Sequence, residues 1–281
     1  MSRRKGFRDS RTENANCGFT LIELLVAISV IAVLISILVP SLSRAREQGN
    51  KVVCMSNMKE IGNAIASYLT ENNNLPWTYV QPEGSDPKIT ISSSYTWGGM
   101  MASRPFPGDE TGDWAVVPPE LRPLNRYIDP TARTRDAIKV VKCPGDRSAV
   151  SPDISDPDQR PLELEGLRSS WEAFGTSYSI NWLFMEDPAI TDPFSIDRLM
   201  YYGKTFVQEA VGGSAAEMAV IWENQVDQLL NNATDTGGGR LGEGWHRTFS
   251  CHSFLFMDGH MEYGYFDTRF CRGPGWRIWR K

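Results

Sequence analysis

The sequence has no surplus of positive charge and none of the common hydrolase or nucleotide-binding motifs. Its formal net charge is −5 at pH 7, which argues against nucleic acid as a partner because such binding needs a basic surface. Gly-x-Ser-x-Gly and His-Glu-x-x-His are absent, and the glycine-rich segment 234–244 has no Gly-Lys-Ser/Thr ending, so it does not read as a phosphate loop. We therefore expect no enzyme and no organic cofactor.

Long apolar runs are also missing, with one exception near the N-terminus. From Phe19 to Val39 there are 21 residues and one formal charge, Glu23. A helix of that length measures about 31 Å, close to the hydrocarbon thickness of a membrane. Five basic and two acidic residues precede it, and basic flanks stay in the cytoplasm. The run predicts a single transmembrane helix with the remainder exported. A cleaved signal peptide ending near Ser41-Leu42-Ser43 is the alternative.

Glu23 needs an explanation, because a carboxylate at the centre of a membrane span costs about 2.5–3.5 kcal/mol. The segment Gly18-Phe19-Thr20-Leu21-Ile22-Glu23 resembles the processing motif of type IV prepilins and type II secretion pseudopilins, and the likeness extends to Pro40. It implies that a prepilin peptidase cuts between Gly18 and Phe19 and methylates Phe19. We expect Glu23 to pair with the new amine of a neighbouring subunit, so that neither charge is left alone in lipid.

The chain is expected to have three parts: a leader over residues 1–18, a helix over 19–73 and an exported globular domain over 74–281. The helix comprises a transmembrane part, 19–39, and an amphipathic part, 41–73. Six apolar side chains recur there every three or four residues and predict a face that lies on the domain: Met55, Met58, Ile61, Ile65, Tyr68 and Leu69. A partner-helix interface is the alternative. The expected fold class is α+β and pilin-like, a long helix on an antiparallel sheet with long irregular insertions.

Four cysteines remain once Cys17 leaves with the leader. Exported domains are oxidised, and we expect Cys251 to pair with Cys271 and Cys54 with Cys143. Four free buried thiols are the alternative. Cys143-Pro144 is not a metal motif, since no second cysteine lies within four residues.

Two short motifs in the exported domain carry a further resemblance. Cys143-Pro144-Gly145-Asp146 and Ser177-Tyr178-Ser179-Ile180-Asn181 are similar to a Cys-Pro-x-Asp and Ser-Tyr-x-x-Asn pair of pilin-like proteins with large exported domains. The run Ile138–Lys142 before the first motif predicts a short strand. Lys204–Gln208, which is rich in β-branched and aromatic residues, predicts another.

The dipeptide Asp258-Gly259 between two apolar runs predicts a β-hairpin with a two-residue turn, in which both turn residues take positive φ. In that register Phe256 faces Met261 and Phe254 faces Tyr263. The core face would then carry Phe254, Phe256, Met261, Tyr263 and Tyr265.

The sequence Asp-Gly-His at this turn resembles the hairpin that closes many pilin-like proteins. Those proteins have nine residues between a histidine and the Asp-Gly. Here eleven separate His246 from Asp258 and five separate His252 from it. The three histidines, with His260, have no recognised zinc spacing. Calcium on Asp258 and Glu262 is the metal we expect if any is bound.

The sequence therefore indicates a structural subunit of a pilus or a type II secretion pseudopilus. Its implied partners are a prepilin peptidase and other pilin or pseudopilin subunits. Its implied location is the inner membrane, with the C-terminal domain in the periplasm or at the cell surface. One alternative is a membrane-anchored adhesin or polysaccharide-binding protein that uses tryptophans in the loops of residues 77–135. A tethered hydrolase built on the histidines is another.

Overall fold

The computed structural model describes residues 20–76, 94–100, 117–131, 138–147, 150–152, 161–163, 167–181, 196–230 and 233–278. Gly18 and Phe19 lie outside these residues. The helices of the described chain are α1 Leu21–Glu71, α2 Asn125–Ile128, α3 Ser170–Phe174, α4 Ile196–Glu209 and α5 Asn224–Leu230. Its strands are β1 Val150–Pro152, β2 Pro161–Glu163, β3 Tyr178–Ile180, β4 Ala219–Glu223, β5 Cys251–Phe256, β6 Met261–Tyr265, β7 Arg272–Gly273 and β8 Trp276–Arg277.

The chain divides into two compact units, Met1–Arg46 and Glu47–Lys281. In the first unit, every described residue is exposed, and all of them except Thr20 belong to α1. An 18-residue window there has a mean hydropathy of 2.9, which is long and apolar enough to cross a membrane. Pro40 stands inside α1 without ending it.

In the second unit, a four-stranded antiparallel sheet has the order β3-β4-β5-β6. One face of the C-terminal half of α1 is buried in the same apolar cluster as strand residues of this sheet, which confirms the predicted α+β arrangement. Met58, Ile61 and Ile65 of the predicted stripe are fully or almost fully buried. A Cβ placed on Gly62 would lie 3.0 Å from Leu255 Cδ1 on β5, so the helix and the sheet approach closely at this glycine.

The other face of the sheet is buried as well. Phe254 and Phe256 of β5 belong to a separate apolar cluster with Trp222, Phe266 and Trp276. The ring centroids of Phe254 and Phe266 are 4.1 Å apart. Because side chains alternate along a strand, β5 supplies Leu255 to the cluster on α1 and its two phenylalanines to the opposite cluster.

The hairpin forms where it was predicted, but its register is one residue away from the expected one. Phe254 pairs with Glu262, and Leu255 pairs with Met261. The turn holds three residues, since Phe256 donates its N–H to the carbonyl of His260 at 3.0 Å. Gly259 alone of the turn residues takes positive φ, at 83°. A shift of one residue changes which side chains of β6 share a face with those of β5. Met261 therefore lies opposite Leu255 and not opposite Phe256, and the predicted single core face was wrong.

Two further strand predictions were wrong. Lys204–Gln208 lies within α4, and Lys139–Val141 forms a 3₁₀ turn. The two runs predicted as strands, Ile138–Lys142 and Lys204–Gln208, each span five residues. At this length, apolar residues fit a helix as well as a strand. In α4 the neighbours Phe206 and Val207 are buried together, as a helix face allows and strict strand alternation does not.

A buried arginine fixes part of the irregular region. Arg122 is 1% exposed, and its guanidinium donates to the carbonyls of Tyr95 at 2.9 Å, Gly98 at 2.8 Å and Phe174 at 3.3 Å. Burial lowers the pKa of Arg122 to about 9. The side chain thus serves backbone acceptors that the sheet leaves unpaired.

Gly62→Val should lower the free energy of unfolding by about 1–3 kcal/mol, because the added atoms enter a packed contact with Leu255. Gly49→Val is the matched control: Gly49 also lies in α1, and a Cβ there meets no described atom within 4 Å. Thermal unfolding of the full chain in detergent, followed by near-ultraviolet circular dichroism, measures both. Equal melting temperatures for the two variants would contradict the close approach of α1 to β5.

Candidate functional site

Thr20 and Glu23 form a reciprocal cap at the start of α1. The hydroxyl of Thr20 accepts the N–H of Glu23 at 3.2 Å. The carboxylate of Glu23 accepts the N–H of Thr20 at 2.9 Å and its hydroxyl at 2.8 Å. This capping box pairs donors that a helix N-terminus otherwise leaves free. Sequence reasoning missed it, although the spacing Thr-x-x-Glu is its signature.

The helical segment that follows this cap has an apolar surface on all sides. Leu21 is 80% exposed, Ile22 72% and Val33 61%, and none of the described residues before Glu47 is buried. So much continuous apolar surface marks a segment that meets lipid or other protein. Glu23 sits in the first turn of this segment. The predicted cut and methylation at Gly18 and Phe19 fall outside the described residues and stay predictions.

In the second unit, a disulfide joins Cys54 of α1 to Cys143. The two residues are 89 apart in sequence, and their Cα atoms are 5.1 Å apart. Both side chains are fully buried. The bond ties the amphipathic half of α1 to the segment that carries the Cys-Pro-Gly-Asp motif.

The predicted pair of Cys251 and Cys271 was wrong, since both are free. Cys251 starts β5 and alternates onto the face that Leu255 shares, whereas Cys271 belongs to the cluster on the opposite face. The thiol of Cys271 donates to Asp235 Oδ1 at 2.9 Å. Burial is the largest cause that raises the pKa of this thiol to about 12, and Asp235 adds to it.

A buried histidine lies beside the disulfide. His246 Nε2 is 3.9 Å from Cys143 Sγ and 3.6 Å from Glu223 Oε1. Its Nδ1 is 3.0 Å from Glu47 Oε1 on α1. Burial lowers the pKa of His246, opposed by Glu47, and burial raises the pKa of Glu223 to about 7. Sequence reasoning missed this group, and the histidine upstream of Asp-Gly was the one signal that pointed to it.

The two resembling motifs meet through Asp146. Its carboxylate accepts the hydroxyl of Ser177 at 2.6 Å and the N–H groups of Ser170 at 2.9 Å and Trp171 at 2.8 Å. Burial raises the pKa of Asp146 to about 6. In the second motif, the hydroxyl of Tyr178 lies 3.1 Å from Cys54 Sγ. The pair of motifs therefore builds the surroundings of the disulfide.

The two acidic residues of the hairpin, Asp258 and Glu262, are not part of the group around His246. Asp258 Oδ1 accepts the N–H of His260 at 3.0 Å and lies 2.6 Å from its Nδ1. Lys59 of α1 donates to the carbonyl of Gly259 at 2.9 Å. Among the described residues, the one group of three histidine, cysteine or acidic ligands within 4.8 Å of one another is Cys54, Cys143 and His246. The calcium prediction for Asp258 and Glu262 stays a prediction.

The second unit should lose stability as the pH rises from 4 to 8, because the buried carboxyl of Asp227 titrates in this range. Burial raises the pKa of this carboxyl to about 6 from 3.8. Because the folded state holds the proton more tightly than the unfolded one, the stabilisation is complete below the unfolded pKa and is lost as the pH passes the folded pKa. The loss is on the order of 3 kcal/mol.

Asp227→Asn isolates this effect, since the amide oxygen can still accept Trp222 Nε1–H, now 2.8 Å from Asp227 Oδ1. The fall in melting temperature between pH 4.5 and pH 8 should be several degrees smaller in the variant. A fall of the same size in both proteins would show that Asp227 does not titrate in this range.

Comparison with known proteins finds several relatives and one motif family. The prokaryotic N-terminal methylation motif matches residues 14–39. The chain is similar to the type II secretion system core protein G of Escherichia coli K12, with 35% identity over 113 residues, 39% of this chain and 77% of that protein. It is 34% identical over 91 residues to the core protein G of Aeromonas hydrophila, covering 31% of this chain and 64% of that protein.

The third relative is a pilus component. The type IV wide pilus major component PilA4 of Thermus thermophilus is 39% identical over 56 residues, 20% of this chain and 43% of that protein. No solved structure matches the chain significantly. Each of these matches thus covers less than half of this chain.

Proposed function

We propose that this chain, which belongs to the family of type II secretion system core protein G, is a structural subunit that assembles through its N-terminal helix. It is a membrane-anchored member of the family. The filament is a type II secretion pseudopilus or a type IV pilus, since relatives of both kinds match. This role needs no catalytic side chain.

The observation that carries the proposal is the bare apolar surface of α1 with one acid in its first turn. In the described chain, Leu21–Val39 is exposed throughout. Before assembly, lipid covers this surface. In a filament, the same surface packs against the helices of neighbouring subunits, which can replace lipid at little cost because both are apolar.

Processing supplies the partner for Glu23. Cleavage between Gly18 and Phe19 removes the basic leader and creates an amine on Phe19, at the membrane edge and just before the first turn that holds Glu23. Within one copy, the carboxylate of Glu23 already accepts the N–H of Thr20. Its remaining acceptor capacity is free to take the methylated amine of a second copy, which fixes the axial register between the two helices.

The location follows from the flanks and the sulfur chemistry. The basic leader holds the N-terminus in the cytoplasm. A helix whose N-terminus stays in the cytoplasm spans the membrane that borders the cytoplasm, which is the inner membrane. The unit Glu47–Lys281 then lies in the periplasm or at the cell surface. The disulfide of Cys54 and Cys143 suits that oxidising compartment.

Mass spectrometry of the mature N-terminus tests the processing. The chain recovered from membranes should begin with N-methylated Phe19. Gly18→Val should leave the leader in place, because a branched side chain stands at the cut, and Gly6→Val in the same leader should be processed normally. A wild-type chain that still begins at Met1 beside an active prepilin peptidase contradicts the proposal.

The binding-protein alternative stays a prediction. The range 77–135 contains three tryptophans. Trp77 and Trp114 lie outside the described residues, and Trp97 is fully buried. Trp97 therefore holds the fold and offers no platform for a sugar. A glycan-binding assay on the full chain in detergent would test the remaining two.

A further inference from the structure

Three potential metal ligands from distant parts of the chain meet inside the second unit. The ligand atoms of Cys54, Cys143 and His246 all lie within 4.8 Å of one another. The exposed fractions of these residues are 0%, 0% and 3%. The cluster joins α1, the Cys-Pro-Gly-Asp segment and the segment before β5, so it forms only in the folded domain.

The imidazole is oriented as in a metal site. Its Nδ1 faces Glu47 Oε1 at 3.0 Å, which leaves Nε2 directed at Cys143 Sγ, 3.9 Å away. A carboxylate on the far nitrogen is the usual partner of a histidine that binds metal, because it fixes the tautomer and raises the basicity of the ligating nitrogen. Gly145 leaves room for the ring: a Cβ there would lie 3.0 Å from His246 Cε1.

A buried carboxylate lies beside the imidazole, although its oxygens fall outside the 4.8 Å group of the two sulfurs and the nitrogen. Glu223 is fully buried, and its Oε1 lies 3.6 Å from His246 Nε2. Oε1 accepts the hydroxyl of Ser253 at 2.7 Å, and the backbone N–H groups of Ser253 and Trp245 also approach the carboxylate. Oε2 has no partner of good hydrogen-bond geometry among the described residues. A buried carboxylate oxygen without a partner is costly, and a bound cation would supply one.

The two sulfurs have hydrogen-bond donors of their own. The N–H of Gly145 points at Cys143 Sγ at 3.4 Å. The hydroxyl of Tyr178 lies 3.1 Å from Cys54 Sγ and 3.4 Å from the Cys54 carbonyl oxygen, which also accepts it. Donors of this kind stabilise thiolates, the form in which cysteine binds metal. A disulfide alone makes little use of them.

We propose that Cys54, Cys143, His246 and Glu223 bind one Zn²⁺ ion when the two cysteines are thiols, and that the disulfide replaces this site on oxidation. The chain is synthesised with thiols, so the zinc form needs no reductant at that stage. Binding converts two thiols to thiolates and releases two protons. Oxidation to the disulfide removes two electrons from the sulfurs, which a disulfide-forming oxidoreductase of the exported compartment takes up, and frees the metal.

One ligand separation in the oxidised structure is already close to that of a zinc site. Tetrahedral zinc places two sulfur ligands about 3.8 Å apart and a sulfur and a nitrogen about 3.6 Å apart. The present separation of Nε2 and Cys143 Sγ is 3.9 Å. Soft thiolates together with an imidazole nitrogen favour zinc over calcium or magnesium, which prefer oxygen ligands. A closed, buried set is typical of a structural site.

Cobalt(II) substitution tests the site on the full chain in detergent. The chain is reduced without oxygen by a phosphine, which becomes the phosphine oxide as water supplies the oxygen and the disulfide gains two hydrogens. We expect one Co²⁺ per chain, with the intense visible bands of tetrahedral cobalt and sulfur-to-cobalt charge transfer. Stoichiometric Zn²⁺ should remove both signals, and the oxidised chain should show neither.

Variants assign the ligands. His246→Gln and Cys54→Ser should each lose the tetrahedral spectrum, and Glu47→Gln should weaken zinc binding by about 10–100-fold while the spectrum persists. Cys251→Ser is the matched control, since Cys251 is free and separate from the cluster, and it should bind as the wild type does.

Three results would overturn the proposal. The first is a reduced wild type with no more cobalt than Cys54→Ser. The second is loss of binding in Cys251→Ser. The third is a reduced chain whose near-ultraviolet circular dichroism collapses and is not restored by Zn²⁺. None of them bears on filament assembly, which is measured separately.

Discussion

Glu23→Ala should reduce surface filaments at least tenfold while the chain still enters the membrane. Removing the carboxylate leaves the methylated amine of each neighbouring copy without a counter-charge in lipid, where an unpaired ion is unfavourable. The apolar surface of α1 is unchanged, so insertion and anchoring should persist. Sheared filaments quantified by immunoblot, against the amount of chain in the membrane fraction, give the measurement.

Glu23→Gln separates the helix cap that the structure shows for this side chain from the ion pair that we propose for it. Glutamine can still accept the N–H of Thr20, as in a capping box, but it carries no charge for the amine. We expect it to fail in assembly as alanine does. If Glu23→Gln assembled normally and Glu23→Ala did not, the cap would be the function and the ion pair would be excluded.

Glu60→Ala is the matched control for both variants, because Glu60 is an exposed acid of the same helix in the other unit. It should assemble at the wild-type level. Equal filament yields from Glu23→Ala and Glu60→Ala would remove Glu23 from the assembly mechanism.

Local patterns were enough to predict the parts of the fold that depend on neighbours in sequence. The apolar run and the three- and four-residue spacing of Met58, Ile61 and Ile65 predicted both halves of α1, since a helix face repeats every 3.6 residues. Asp258-Gly259 predicted the hairpin. Its register was wrong because only Gly259 takes positive φ, so a three-residue turn with one left-handed position replaced the expected two-residue turn.

The group around His246 was predicted only in part: the pairing of Cys54 with Cys143 was expected, whereas the approach of His246, Glu47 and Glu223 was not. Its members come from positions 47, 54, 143, 223 and 246, and only the folded sheet brings them together. Ligand spacing along the chain reveals a zinc site only where the ligands lie on one hairpin or one helix. Cys143 has no cysteine near it in sequence, yet Cys54 lies bonded to it across 89 residues.

The loss of that bond has the second large expected effect. Cys54→Ser and Cys143→Ser should each lower the free energy of unfolding by about 2–5 kcal/mol, because a cross-link over so long a loop removes much of the entropy of the unfolded chain. For a unit of this size, the melting temperature should fall by about 5–15 °C. Near-ultraviolet circular dichroism of the oxidised full chain in detergent, without metal, follows the transition.

The double variant decides whether the bond is the cause. If each single change acts only by removing the disulfide, Cys54→Ser with Cys143→Ser should be no less stable than either alone, which is strong non-additivity between two buried sites. Cys251→Ser, which breaks no bond, should change the melting temperature by only a few degrees. Additive losses in the double variant would mean that packing of the two side chains, rather than the cross-link, stabilises α1 on the domain.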